Sequence, residues 1–173
     1  MSLYPEPTNI WESIEYSSLG ITVAESTWMF PTIETIHVIA LVTVLGMIAI
    51  VDLRLIGVSS RALAVTKLSK DTLPWVWGAF ILAALTGGLL FVSKATSYVA
   101  NPYFLWKMGL MLLAGVNMFI FHRVVAKGMG TWGQPGGQIP TAAKVSGLVS
   151  LALWMVIPLC GRIVGFTLGV YYA

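Results

Sequence analysis

Four long apolar stretches, separated by short polar connections, dominate the hydrophobic pattern of the chain. They run from about Trp28 to Val58, from Leu73 to Val99, from Pro102 to Ala126 and from Thr141 to about Tyr171. Each exceeds the ~20 residues that an α-helix needs to cross a hydrocarbon layer ~30 Å thick. The strict alternation typical of membrane β-strands is absent from the sequence. The pattern therefore predicts four membrane-spanning α-helices.

The residues ahead of the first stretch have a different character and predict a separate segment. Residues 1–27 contain four acidic residues, no Lys or Arg and no long apolar run. A secretory signal needs a basic start followed directly by a hydrophobic stretch. We therefore expect residues 1–27 to form an outer-face segment with an interfacial helix, and residues 28–173 to form the transmembrane domain.

Basic residues gather in two of the connections and predict the orientation of the chain. The first connection and its flanks hold Arg54, Arg61, Lys67 and Lys70, and the third holds Arg123, Lys127 and Lys144. Basic connections face the cytoplasm in most membrane proteins. We therefore predict an all-α, four-helix, up-down bundle in a bacterial inner membrane, with both termini outside.

Composition supports a lipid-facing surface and narrows the chemistry. Apolar residues make up 57% of the chain, charged residues 10%, and the mean hydropathy is +0.84. Soluble domains carry about 25% charged residues, so an ordinary soluble domain is excluded. The 10 basic residues exceed the 7 acidic ones only slightly and are dispersed, so no nucleic-acid partner is expected. A single cysteine, Cys160, excludes an internal disulfide and a site with several thiolates.

Ionisable residues within the apolar stretches are the first candidates for function, because they are costly in a membrane. Those that lie away from the basic connections are Glu34, His37, Lys94, Lys107 and Arg162. With the helix directions predicted above, all five lie at a similar depth in the outer leaflet. Glu34 and His37 are three residues apart and share a helix face. The sequence therefore predicts a polar cluster to which every helix contributes.

The cluster has the composition of a site for an anion with an apolar body. Haem b fits, with His37 as the metal ligand and Lys94, Lys107 and Arg162 paired with the propionates. Gly87 and Gly88 leave a notch that would admit the macrocycle. A quinone or a lipid head group would also fit. In a simpler interpretation the lysines extend to the interface and Glu34 pairs with one of them.

The second haem ligand is harder to assign from the sequence. His122 lies near the opposite end of its span, an offset of ~20 Å from His37 at 1.5 Å per residue. Met108, Met111 or a residue of a partner chain would have to complete the coordination. Met111 shares a broad sector of the third span with Lys107.

Several short motifs carry a resemblance to known membrane proteins. They are Glu34-Thr35-Ile36-His37, Gly46, Asp52-Leu53-Arg54-Leu55-Ile56-Gly57, Trp75-Val76-Trp77-Gly78, Thr86-Gly87, Asn101-Pro102, Lys107, Asn117 and Cys160-Gly161-Arg162. Between about Trp28 and Phe166 the chain resembles an uncharacterised family of bacterial four-helix membrane proteins, which implies the same topology.

A more distant similarity is to the HemJ-type protoporphyrinogen oxidases and the CopD-like copper proteins. The residues in comparable places are His37, Arg54-Leu55, Lys107 and His122. The similarity to the HemJ type implies binding of haem b with His37 as the axial ligand.

Three classes of function are compatible with these residues. The first is a small redox protein or cytochrome-like subunit that binds haem b or quinone near the outer face. The second is a non-catalytic accessory subunit with protein partners in a membrane complex or in a homo-oligomer, which the short connections favour. The third is a transporter for a small anion or a proton. The sequence assigns no catalytic residues.

Overall fold

A computed structural model describes residues 4–171, so the ends of the two predicted segments, residues 1–3 and 172–173, lie outside it. Within the described range the regular structure is helical. Four helices are long and apolar enough to span a bilayer: α3 (Met29–Ile56), α4 (Val65–Ser93), α6 (Pro102–Arg123) and α8 (Thr141–Thr167). The shorter helices are α1 (Ile10–Glu15), α2 (Ser18–Glu25), α5 (Ala95–Ala100), a 3-10 helix (Val125–Gly128) and α7 (Met129–Trp132). The prediction of an all-α chain with four candidate spans is confirmed.

The second spanning helix differs from its predicted bounds at both ends. α4 begins at Val65, where the Val65 N–H donates to the Gly133 carbonyl at 2.7 Å, rather than at Leu73. Pro74, the second residue of the predicted span, therefore lies inside the helix, and it removes one backbone hydrogen bond there. α4 ends at Ser93, because Lys94 leaves the helical conformation before α5 begins. The apolar pattern missed the amphipathic first turns of α4.

Side-chain and backbone caps define the ends of the neighbouring helices. The Asn101 side chain accepts from the Tyr103 N–H at 3.0 Å and so caps the start of α6. Its amide also donates to the Thr167 hydroxyl at 2.9 Å, which joins the start of α6 to the end of α8. α3 ends at Gly57, whose φ of 88° is the left-handed conformation common at helix ends.

The four long helices pack as a row in the order α4, α3, α8, α6. α3 packs against α4 and α8, and α8 packs against α6. In the described part of the chain α4 and α6 are not an extensively packed pair, and they meet through the stacked rings of Phe91 and Phe104, whose centroids lie 5.7 Å apart. The approach of α3 to α8 depends on Gly147, which is buried. A Cβ there would lie 3.1 Å from Leu55 Cβ and 3.2 Å from the Asp52 carbonyl oxygen. The row leaves a cleft between α4 and α6.

Polar contacts tie the connections together at each end of the row. At the end that carries the basic connections, here called the basic end, Arg54 is only 2% exposed. Its Nε donates to the Leu63 carbonyl at 2.9 Å, and its guanidinium also donates to the Gln134 carbonyl. At the opposite end, the Glu15 carboxylate accepts from the N–H and the hydroxyl of Thr96. The N-terminal segment is thus packed onto α5.

Candidate functional site

His37, the predicted iron ligand, is held between α3 and α4 by a hydrogen bond and a glycine. The Thr86 hydroxyl donates its one hydrogen to the Leu82 carbonyl at 2.7 Å. The same oxygen lies 3.0 Å from His37 Nδ1. In the tautomer in which Thr86 donates to Leu82, Nδ1 donates to Thr86 and the lone pair is on Nε2. A Cβ at Gly87 would lie 2.9 Å from His37 Cε1. The predicted notch at Gly87 therefore holds the imidazole.

Two further residues of the predicted cluster lie near His37. Lys107 is close enough to His37 for a Coulombic interaction, and its Nζ packs 3.6 Å from the position of a Cβ at Gly161. Glu34 is half-buried and interacts electrostatically with Tyr98. Burial, and to a smaller extent the Glu34 charge, raise the pKa of Tyr98 to about 12. The phenol is therefore neutral at physiological pH.

The structure directs the other two cations of the predicted cluster elsewhere. Lys94 Nζ lies 5.0 Å from the centroid of the Phe30 ring, and the Arg162 guanidinium lies 4.5 Å from the centroid of the Phe166 ring. Arg162 is exposed on the outer surface of α8. Gly88 is also exposed, and a Cβ placed there would have nothing among the described residues within 4 Å. His37 and Lys107 are thus together, but the three predicted anion partners do not converge.

A second site, which the sequence did not predict, lies toward the basic end. It is a cavity of about 260 Å³ between α4 and α6, with α3 and α8 behind it. The lining is mainly apolar and aromatic and includes Leu73, Trp77, Phe80, Met111, Phe121 and Trp154. Met111, predicted near the haem, instead lines this cavity and packs on Ala114, Leu153 and Ile157. The cavity is near the lower limit of ~300–1,000 Å³ for small-molecule pockets.

A small group of polar side chains lines one part of the cavity. Asp52 is 5% exposed, and its Oδ2 has no hydrogen-bond partner among residues 4–171. Ser150 interacts with the same carboxylate. Asn117 donates to the Ser146 carbonyl and accepts from the Ser146 hydroxyl, each at 3.1 Å. The amide and the hydroxyl therefore satisfy each other, whereas one carboxylate oxygen remains available.

The mouth of the cavity opens through the cleft between α4 and α6. Trp77 on α4 is 48% exposed, and Met118 on α6 is 43% exposed, although both line the cavity. Gly115 and His122 on α6 are exposed lining residues as well. Both helices are candidate spans, and the mouth opens between their apolar surfaces. The cavity leads from this mouth to the Asp52 carboxylate.

The sequence contained a signal for this site that helix depth alone did not reveal. Asp52 lies one turn inside the end of α3, where a carboxylate is usually assigned to the interface. Asn117, Ser146 and Ser150 are uncharged and lie in spans that also contain lysines, which are the more conspicuous candidates. The signal is the full set of polar residues within the apolar stretches, and not only the ionisable ones.

Comparisons add no assignment to this geometry. Within the described residues, no group of three or more His, Cys, Asp or Glu side chains could hold a metal ion. The resemblances to uncharacterised four-helix, HemJ-type and CopD-like proteins stay predictions, because no comparison with known proteins tests them. Searches against protein-family models, curated proteins and solved structures find no match to this chain.

Proposed function

We propose that this chain is an integral membrane protein that binds a small lipid-soluble molecule in the cavity between α4 and α6. The supporting observation is the combination of an apolar cavity, an opening toward lipid and a convergent polar group inside it. Concave, largely apolar sites with a few polar groups are typical of small-molecule binding. The proposal includes an up-down bundle in a bacterial inner membrane, with both termini outside and the cavity in the inner leaflet.

Access from the bilayer follows from the way in which the helices pack. Three of the exposed residues at the mouth, Leu73, Trp77 and Met118, are apolar, and His122 is the exposed polar one. A mouth of this composition favours an apolar ligand over a strongly hydrated one. A lipid-soluble molecule is already concentrated in the hydrocarbon and can reach the cavity without crossing an aqueous interface. Its apolar body would contact the aromatic lining, while its polar group would meet the side chains on α3, α6 and α8.

Filling the cavity is expected to abolish binding of a compact neutral hydrocarbon such as neopentylbenzene. Gly115 lines the cavity and has open space around a Cβ position, so the Gly115→Phe side chain can occupy the site without displacing α8. We expect the dissociation constant to rise at least about tenfold. The measurement is the thermal unfolding midpoint of the nanodisc-embedded protein as a function of probe concentration.

Gly109→Phe is the matched control for this experiment. Gly109 lies on the same helix, is exposed and has nothing among the described residues within 4 Å of a Cβ position, but it does not line the cavity. The Gly109→Phe variant should therefore bind the probe as tightly as wild-type protein does. Equal binding by wild type and both variants would mean that the probe binds elsewhere, and the proposal would be rejected.

A second candidate function is redox chemistry at His37, with haem b or quinone bound near the outer face. The observation in its favour is the orientation of the ring: Nδ1 lies 3.0 Å from the Thr86 hydroxyl, and when Nδ1 donates to it, Nε2 carries the lone pair that a ligand would use. Hydrogen bonds of this kind orient metal-bound histidines. Of the predicted cations, Lys107 alone lies beside the imidazole in the described part of the chain.

If haem b binds there, the dithionite-reduced minus oxidised spectrum of the purified protein should contain a sharp b-type α-band. His37→Ala should remove the band. His122→Ala should retain it, because His122 lies in the last turn of α6, far from His37, where its Nδ1 donates to the Met118 carbonyl. A flat spectrum from wild-type protein supplied with haem during expression would exclude haem b at His37.

A further inference from the structure

The charge balance of the cavity is unusual for a site inside a membrane. Two of its lining residues are ionisable, Asp52 on α3 and His122 on α6, and neither Lys nor Arg is among the lining residues in the part of the chain that the structure describes. Arg54, the cation closest in sequence to Asp52, donates instead to the carbonyls of Leu63 and Gln134. The Asp52 carboxylate thus has no Lys or Arg counter-ion among the described lining residues.

An unpaired buried carboxylate is costly unless it takes up a proton or meets a cationic partner. Transfer of an ionised group from water to an apolar interior costs several kcal/mol, even after relaxation. Ser150 satisfies part of the Asp52 carboxylate, but Oδ2 has no hydrogen-bond partner in the range that the structure covers. A cation placed beside Oδ2 would remove this cost, since the electrostatic attraction is strong in a low-dielectric site.

The remainder of the lining favours an organic cation over an inorganic one. A bare metal ion requires several oxygen ligands, but the nearby Asn117 and Ser146 side chains are already paired with each other. The aromatic rings that line the cavity include those of Trp77, Phe80, Phe121 and Trp154. Faces of aromatic rings attract organic ammonium groups, and Trp does so most strongly.

We propose that the cavity selects amphipathic organic cations, with Asp52 as the counter-ion of the ammonium group and the aromatic lining around its apolar body. This inference rests on the proposed function, because it names the ligand class of the same cavity. An amphipathic cation lies in the leaflet with its charge at the interface and its apolar body in the hydrocarbon. From there it enters between α4 and α6 and places its charge beside Oδ2. Asp52 therefore determines the charge preference, while the cavity shape determines the size of the ligand.

The test compares two probes of the same shape and different charge. Benzyltrimethylammonium is a permanent cation, and neopentylbenzene is its neutral carbon analogue. We expect wild-type protein in nanodiscs to bind the cation at least about tenfold more tightly, which corresponds to about 1.4 kcal/mol. Asp52→Asn keeps the size of the side chain and should remove this preference while retaining binding of the neutral probe.

Each result bears on one of the two proposals. If neither probe stabilises wild-type protein, and Gly115→Phe changes nothing, the binding function itself fails. If neopentylbenzene binds to wild-type protein and the cation binds no more tightly than it does, only the charge selectivity is overturned. The same holds if the cation binds to Asp52→Asn as tightly as to wild-type protein. If Asp52→Asn does not fold, the comparison of the two probes on wild-type protein still tests the charge selectivity. Protection by sodium ions alone, at the same concentration, would also overturn the organic-cation proposal.

Discussion

Gly147→Leu is expected to lower the free energy of unfolding by about 1–3 kcal/mol, the range for overpacked cores. The reason is the close approach of α3 and α8. A Cβ at Gly147 would lie 3.1 Å from Leu55 Cβ and 3.2 Å from the Asp52 carbonyl oxygen, which belongs to a helix backbone and cannot rotate away. The two helices must separate to admit the side chain. Unfolding by denaturing detergent in mixed micelles, followed by circular dichroism, measures the change.

Gly165→Leu controls for the intrinsic effect of adding a side chain to α8. Gly165 is exposed, with nothing among the described residues within 4 Å of a Cβ position. Leucine is a better helix former than glycine, so this variant should unfold at the same detergent concentration as wild type or slightly above it. Equal stability of the two variants would show that α3 and α8 do not pack closely at Gly147.

The Gly147 variant has a consequence for the cavity as well as for stability. Asp52 and Leu55, which line the cavity, lie on the turn of α3 that Gly147 contacts. Moving α3 away from α8 displaces the carboxylate relative to Ser150 on α8. Any folded fraction of Gly147→Leu should therefore bind the neutral and the cationic probes more weakly than Gly165→Leu does.

Gly87→Ala is expected to destabilise the protein by about 1–3 kcal/mol, although alanine is the better helix former. The added methyl group would meet His37 Cε1 at 2.9 Å and push the imidazole away from Thr86. Its neighbour provides the control: Gly88 has open space around a Cβ position among the described residues. Gly88→Ala should be neutral or stabilise by up to about 1 kcal/mol. Thermal unfolding of the two variants in the same detergent gives the comparison.

A double substitution separates the contact from any general effect on α4. If the imidazole causes the loss, His37→Ala should make the additional change Gly87→Ala nearly neutral, because the clashing atoms are gone. The coupling between the two positions should then be about 0.5–3 kcal/mol, in the range for residues in contact. Additive effects would contradict the packing of His37 against Gly87.

The sequence predicted the parts of the fold that depend on local composition. A stretch of more than ~20 apolar residues is sufficient to identify a candidate span, and the four helices lie where the stretches are. The start of α4 was missed because its first turns contain Lys67, Lys70 and Asp71 and are not apolar. The helix begins at Val65 through a hydrogen bond to Gly133, which is distant in sequence.

The direction of each polar side chain required the tertiary structure. Helix depth suggested that Arg162 and Lys94 share a site with His37, but depth carries no information on which face of a helix meets a neighbour. Arg162 lies on an exposed face beside Phe166, and Lys94 meets Phe30 where α4 breaks. The sequence predicted a notch at Gly87 and Gly88 that would admit a haem macrocycle. The structure places the His37 ring against Gly87, whereas Gly88 is exposed with open space around a Cβ position among the described residues.

The sequence by itself determined that the chain forms four apolar helices and that their connections are basic at one end. These properties follow from the length of apolar runs and from charge, which are local. Only the tertiary structure decided that a cavity opens between α4 and α6 toward the basic end, and that Asp52 lies in it with no Lys or Arg among the described lining residues. Those features depend on which helices pack together. Close packing at residues such as Gly147 determines which helices do so, because it allows α3 and α8 to approach each other.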